Sequence, residues 1–351
     1  MGDVVSTSLG PVQFSGAESA SFRGSDRTWA VLSVENCMER KPFALLELGS
    51  NSLKFYLVNL GADEKHTVET HKMRWRISHQ FFNRGFLDKE TIADVVKQIE
   101  EVRLHAKGLD LGGTIAVATG VFREIDNVNE LVDTVKDRTG VRIRVISGED
   151  EAMLMARGFA LQGFHEPVIL CDLGGATTEW VWLKDGKRGQ WGSMPLGAIR
   201  NEYKFGAYKD APIDYLQRSS AYCDSVLKFL PFNTPVKVLA TGGSAKALAS
   251  HYKEDVVGLD DLRRFTVEVL EGGAPTDVKP SRAPILLPGL VILWRILVRC
   301  QATEIQYVNN AVRQGMAVRL IRLLNEYPQE DIHATLLLKT KGPIARPGPE
   351  K

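Results

Sequence analysis

The chain has 351 residues, more than one typical domain, with 44% apolar and 25% charged residues, the mix of a soluble globular protein with an ample core. A formal net charge of +1 excludes a global pull toward nucleic acid or a membrane surface, so any recognition of anions must be local. Cys37, Cys171, Cys223 and Cys300 are far apart and form no CxxC pair, which argues against a disulfide framework or zinc site and suits a reducing, cytoplasmic compartment.

Residues 1–42, rich in Gly and Ser with scattered charges, read as a flexible extension. No basic segment followed by an apolar core marks a secretory signal, and "MGDVVS" fits only the loose myristoylation pattern that many chains share. A strand over 43–48, a tight Gly-Ser-Asn-Ser turn and a second strand over 52–59 predict a hairpin, with a third strand over 66–77. Apolar spacing and Gly108 predict a helix over 87–108. A buried strand over 113–120 follows, then a helix over 127–140, an alternating strand over 141–147 and a helix in "GEDEAMLMARGFAL". This order predicts a mixed α/β layer fold.

The second half opens as the first does. Laying "ALLELGSNSLKF" over "ILCDLGGATTEW" aligns Leu48-Gly49 with Leu173-Gly174, an offset of 125 residues. The hairpin recurs in 177–197, and "VKVLATGGSAKALA" (236–249) runs from strand to helix through a glycine pair. Two α/β lobes of like design facing one another across a cleft are the economical architecture. The first spans 43–160 and the second 161–310, divided near the loop "GFHEP". A helix near 311–325 could return to the first lobe, and 331–351 reads as a flexible tail. The longest apolar run, "ILLPGLVILW" (285–294), is too short to span a bilayer.

Tight glycine turns gather backbone N–H groups into concave nests that bind phosphate oxygens, because glycine permits the dihedrals and the close approach. The candidates are Ser50, Asn51 and Ser52 in the first turn, Gly174, Gly175, Ala176, Thr177 and Thr178 in the second, and Gly242, Gly243 and Ser244 at a helix N-terminus. Carboxylates beside phosphate repel it unless a cation intervenes, so Glu47, Asp172 and Glu179 are candidate ligands for Mg²⁺ or a similar ion such as Mn²⁺. Each turn singly also reads as an ordinary hairpin. "HKMRWR" (71–76) mixes basic and aromatic residues as nucleic-acid sites do, but alternation in a sheet strand explains it equally. No nucleic acid or membrane is expected as a partner.

The motifs "LLELGSNSLKFYLV", "AVATGVFREIDN", "RVISGEDEAMLMARG", "VILCDLGGATTEWV", "SMPLGAIR", "VLATGGSAKALA" and "ILLPGLVIL…NNAVRQG" occur in one order. In this the chain resembles the exopolyphosphatase/guanosine pentaphosphate phosphatase family, of the actin-like ATPase (ribonuclease H-like) superfamily, from residue 43 to about 325. The resemblance implies a Mg²⁺-dependent hydrolase and a homodimer. Its substrate would be inorganic polyphosphate, losing terminal phosphate, or guanosine pentaphosphate, losing its 5′ γ-phosphate. It implies Glu151 in "SGEDEA" as the residue activating water and Arg123 in "TGVFRE" as a phosphate contact, with Glu179 beside them. The residues themselves also allow a structural account, in which Ser147 and Asp150 cap a helix and Glu149, Asp150 and Glu151 suit its dipole.

The sequence departs from the family pattern at Glu47, where an aspartate is usual, and at Ala176, in place of a third glycine. Asn309, Asn310 and Gln314 also stand where the pattern has an acid, a glycine and another acid. The extra C-terminal helical domain of long members is not matched, which favours shorter chains or nucleotides. A weakly active or inactive sensor of nucleotide or polyphosphate is the reading from another class.

Overall fold

A computed structural model describes residues 7–8, 41–60, 66–75, 77–106, 108–159, 166–184, 187–206, 208, 211–228, 230, 235–276, 278–309, 312–326 and 332. Apart from residues 7–8 and 41–42 of the expected extension and 332 of the tail, those two segments lie outside the described residues, as do Asn310 and most of the "GFHEP" loop. In chain order the strands of the first half are β1 (Thr7–Ser8), β2 (Phe43–Gly49), β3 (Ser52–Leu60), β4 (His66–Arg74), β5 (Gly113–Ala118) and β6 (Ile143–Val145). Its helices are α1 (Ile77–Arg84), α2 (Lys89–His105), α3 (Val128–Thr139) and α4 (Gly148–Phe159), with a 3-10 turn at Gly120–Arg123. The second half has β7 (Val168–Leu173), β8 (Thr178–Lys184), β9 (Lys187–Met194), β10 (Lys237–Gly242), β11 (Val256–Gly258) and β12 (Glu304–Tyr307). Its helices are α5 (Ala198–Phe205), α6 (Pro212–Leu227), α7 (Gly243–Tyr252), α8 (Leu259–Gly272) and α9 (Ala283–Arg299), and α10 (Val312–Glu326) closes the chain.

The fold is the expected α/β class, built on two sheets of one topology. The first runs β4-β3-β2-β5-β6 with β1 added beside β4; the second runs β9-β8-β7-β10-β12 with β11 added beside β12. In each, a three-stranded antiparallel meander is extended by two parallel strands. Parallel neighbours need helical crossovers, and α2, α3, α6 and α8–α9 fall between the strands so joined. The central strands, "FALLEL" and "VILCDL", are apolar on both faces because both faces are covered.

The chain divides into two compact units. The first takes the described residues of Met1–Asp150, Arg157–Gly163 and Val312–Lys351, so α10 packs on β2; the second takes Glu151–Ala156 and those of Phe164–Ala311. The core of the second is α9, buried from Ile285 to Leu293, against α5, α6, α7 and α8. Among the described residues no helix is long and apolar enough to cross a membrane.

Local signals act as physics requires. Asp88 caps α2 by accepting the N–H of Thr91 at 2.9 Å, and α3 ends at Gly140 in the left-handed region (φ 73°). One expectation is corrected: the third strand stops at Arg74 rather than reaching 77, because the chain turns at Trp75 into α1, a helix the strand-like alternation of "HKMRWR" concealed.

Burial pushes the Cys223 and Cys300 thiols up to about 12, and raises Cys171 well above the ordinary thiol value. All three are expected to resist a disulfide reagent at pH 8 in the folded protein and to react fully in denaturant, measured in a Cys37→Ser chain. Rapid labelling of the native chain would show that α6 or α9 opens readily.

Candidate functional site

In the second unit, β7 and β8 are joined by the turn Gly174–Thr177, closed by the N–H of Gly174 donating to the Thr177 carbonyl at 3.0 Å. The other three carbonyls of this turn, those of Gly174, Gly175 and Ala176, are engaged by α5. Ala198 N–H donates to Gly174 at 3.1 Å, Ile199 and Arg200 N–H to Gly175 at 2.8 and 3.0 Å, and Arg200 Nε to Ala176 at 2.7 Å. No peptide here is cis, so each N–H points opposite to the carbonyl of its own peptide unit. The amides of Gly175, Ala176 and Thr177 therefore face away from α5 as one row, an arrangement suited to anion oxygens.

The first unit repeats the device with other parts. The Gly49 carbonyl accepts from Trp75 Nε1 at 2.8 Å, that of Ser50 from Ser78 N–H at 3.2 Å, and that of Asn51 from Trp75 N–H at 3.4 Å. The amides of Ser50 and Asn51 point opposite to the carbonyls of their own peptides, whereas Ser52 pairs with Gly49 in the ladder, and Ser50 Oγ accepts the N–H of Val121 at 3.2 Å, tying this turn to the one carrying Arg123.

The amide rows arise differently from the expected glycine nests. Gly49, Gly174 and Gly175 do not use positive φ, and neither does Ala176, whose methyl is fully buried; the departure from glycine there is accommodated without strain. Carbonyls tethered from behind orient the peptides instead. Positive φ is found at Gly120 (59°) and Gly242 (100°), the last residues of the repeated "Ala-Thr-Gly" at the ends of β5 and β10.

Gly242 is required on two grounds. Its φ of 100° with ψ of 176° is essentially a glycine conformation, and a Cβ there would collide with the Leu173 carbonyl. Gly242→Ala is expected to destabilise the chain by about 2 kcal/mol or more, read from a denaturant midpoint. Just beyond it, the guanidinium of Arg282 lies against Gly243, in the space a side chain would need. The free N–H groups of α7 and this cation make the helix start electropositive.

The acids have distinct settings. Asp172 and Glu179 are direct cross-strand partners on β7 and β8, so their side chains share a face, and Asp172 Oδ1 lies beside Gly242. Glu179 is 2% exposed and accepts from Ser193 Oγ at 2.6 Å. Glu47, 5% exposed, accepts from Lys54 Nζ at 2.5 Å and Tyr56 OH at 3.4 Å. Among the described residues, no group of three or more His, Cys, Asp or Glu side chains is arranged to hold a metal ion.

Ser147 caps α4 by accepting the N–H of Asp150 at 3.1 Å, so the structural account of that motif holds for these two residues. Glu149 is exposed and Asp150 half-buried, yet Glu151 is only 6% exposed, which capping does not explain. Half-buried Arg123 donates through Nη1 to the Ile146 carbonyl at 3.3 Å, immediately before the cap.

Two expected hydroxyls face elsewhere. Buried Thr178 Oγ1 donates to the Leu196 carbonyl at 2.5 Å, and Ser244 Oγ lies against Gly289 of α9. Asn309 is exposed at the end of β12, while the side chain of Gln314 lies outside the described residues. Trp75, Ser78, Arg200 and Arg282 were missed by sequence reading. "HKMRWR" contains Trp75 and "SMPLGAIR" contains Arg200, whereas Ser78 and Arg282 lie in none of the quoted motifs.

A model of the "Ppx/GppA phosphatase family" matches residues 58–324. A guanosine-5′-triphosphate,3′-diphosphate pyrophosphatase of Photobacterium profundum is 23% identical over 317 residues, 83% of this chain and 62% of that one. An uncharacterized protein of Streptomyces coelicolor is 30% identical over 166 residues, 46% of this chain and 49% of that one. The chain thus spans 49% and 62% of the length of these two curated relatives. Among solved structures, an exopolyphosphatase from Cytophaga hutchinsonii superimposes with a TM-score of 0.72 at 18% identity, covering 80% of this chain and 98% of that one. The Aquifex aeolicus PPX-GPPA enzyme gives 0.66 at 20% identity, covering 79% and 99%. These likenesses establish a common fold.

Proposed function

The chain belongs to the Ppx/GppA phosphatase family, and we propose that it is a Mg²⁺-dependent hydrolase releasing terminal phosphate from inorganic polyphosphate. The observation that carries this reading is the row of amides on Gly175, Ala176 and Thr177, aimed by carbonyls that α5 and Arg200 hold. Such a row recognises phosphate oxygens without regard to what the phosphate is attached to, which suits a repeating polymer.

In this reading the N-terminus of α7 binds further phosphate oxygens. Glu151 orients a water and takes its proton as oxygen attacks the terminal phosphorus. The bond from that phosphorus to the bridging oxygen breaks, and the shortened chain leaves with the electron pair. Asp172 and Glu179, two carboxylates facing each other, fit a divalent cation that completes its shell with water and phosphate. When bound, Mg²⁺ would neutralise charge on the phosphate oxygens. We include in the proposal a homodimer working in the cytoplasm, on the family resemblance and the spacing of the cysteines.

A second reading is removal of the 5′ γ-phosphate from guanosine pentaphosphate, favoured by the name of the Photobacterium relative. Phosphate release from polyphosphates of graded length, guanosine pentaphosphate and ATP, assayed in parallel, decides between them. Fastest release from a polyphosphate supports the first reading. Fastest release from the nucleotide supports the second. Tight binding without release from any substrate, across several divalent metals, would overturn both in favour of a sensor.

A further inference from the structure

The shared topology of the two sheets allows their charged residues to be compared slot by slot. Glu47 stands two residues before the turn glycine Gly49, as Asp172 stands before Gly174. The residue directly opposite is Lys54 in the first sheet and Glu179 in the second. One slot therefore holds a carboxylate facing an ammonium, and its counterpart holds two carboxylates.

These pairs have opposite electrostatic needs. Two carboxylates directly across a strand pair repel, and positive charge near them relieves that repulsion. The pair in the first sheet is already neutral: Lys54 Nζ is 2.5 Å from Glu47 Oε1, and Tyr56 OH approaches Oε2 at 3.4 Å. A divalent ion reaching Glu47 would have to occupy the space of the ammonium and expel a like charge from a carboxylate that is 5% exposed. Mg²⁺ ligands must approach to about 2.1 Å, closer than the ammonium itself.

We infer that Glu47 is not a ligand of the divalent ion: Lys54 is its resident counter-cation. The longer Glu47 side chain is consistent with this, since it serves an ion pair across the sheet and not an octahedral shell. This rests on the reading of Asp172 and Glu179 as cation ligands, and the two can fail separately.

The test is a Mn²⁺ titration of the full chain followed by the free-ion electron paramagnetic resonance signal. Glu47→Gln is expected to bind Mn²⁺ within about twofold of the unaltered chain, whereas Asp172→Asn weakens binding about tenfold or more. If Glu47→Gln fails to fold, Glu47→Gln combined with Lys54→Met removes both charges and carries the same expectation. A tenfold loss in the Glu47 variant overturns the inference while leaving the hydrolase reading intact. Unchanged binding in Asp172→Asn overturns the inference together with the cation site on which it rests.

Discussion

A Glu151→Gln chain is expected to lose phosphate release about a thousandfold while melting close to the unaltered protein. Gln keeps the length and polar shape of the side chain and removes only its capacity to accept a proton. The fold should tolerate it, because the cap of α4 is made by Ser147 and not by Glu151. The helix dipole is also served by Glu149, which is exposed where Glu151 is only 6% exposed. Glu149→Gln should accordingly leave turnover almost unchanged. The comparison, made by phosphate release with circular-dichroism melts as control, separates a catalytic acid from a capping one. Turnover by Glu151→Gln like that of the unaltered chain would remove Glu151 from the mechanism.

The second large effect is expected at a residue that need not touch phosphate. Arg200 donates through Nε to the Ala176 carbonyl and through its N–H to Gly175, so its side chain and backbone set the tilt of two peptides in the turn. In Arg200→Met the backbone bond remains and the side-chain bond is lost, leaving the Ala176–Thr177 peptide free to rotate. A misplaced donor in a preorganised anion site costs about a hundredfold in kcat/KM. Arg200→Lys should recover little, because an ammonium lacks the planar guanidinium geometry that reaches this carbonyl. Binding of inorganic phosphate, measured by calorimetry, should weaken in parallel. Normal phosphate affinity and turnover in Arg200→Met would show that α5 alone orients the row.

The strongest sequence signals were those with a local cause. Apolar periodicity, Gly140 as a helix stop and the repeated Leu-Gly with its acid are written within a few residues, and the corresponding hairpins and helices are present. The like topology of the two sheets follows from that repeat, since equal strand–turn–strand patterns bury equal faces. The order of motifs likewise carried the family.

What the linear pattern left open were relations between residues distant along the chain. Lys54 and Glu179 occupy matching slots, yet whether Glu47 meets a metal ion or an ammonium depends on which strand lies opposite and in what register. The same holds for the turns. Glycines announced them, but the amides are aimed by Trp75, Ser78 and Arg200, which lie some 24 to 28 residues further along. Only folding brings those donors behind the turns. A peptide's direction is set by what holds its carbonyl, and composition and local spacing do not record that.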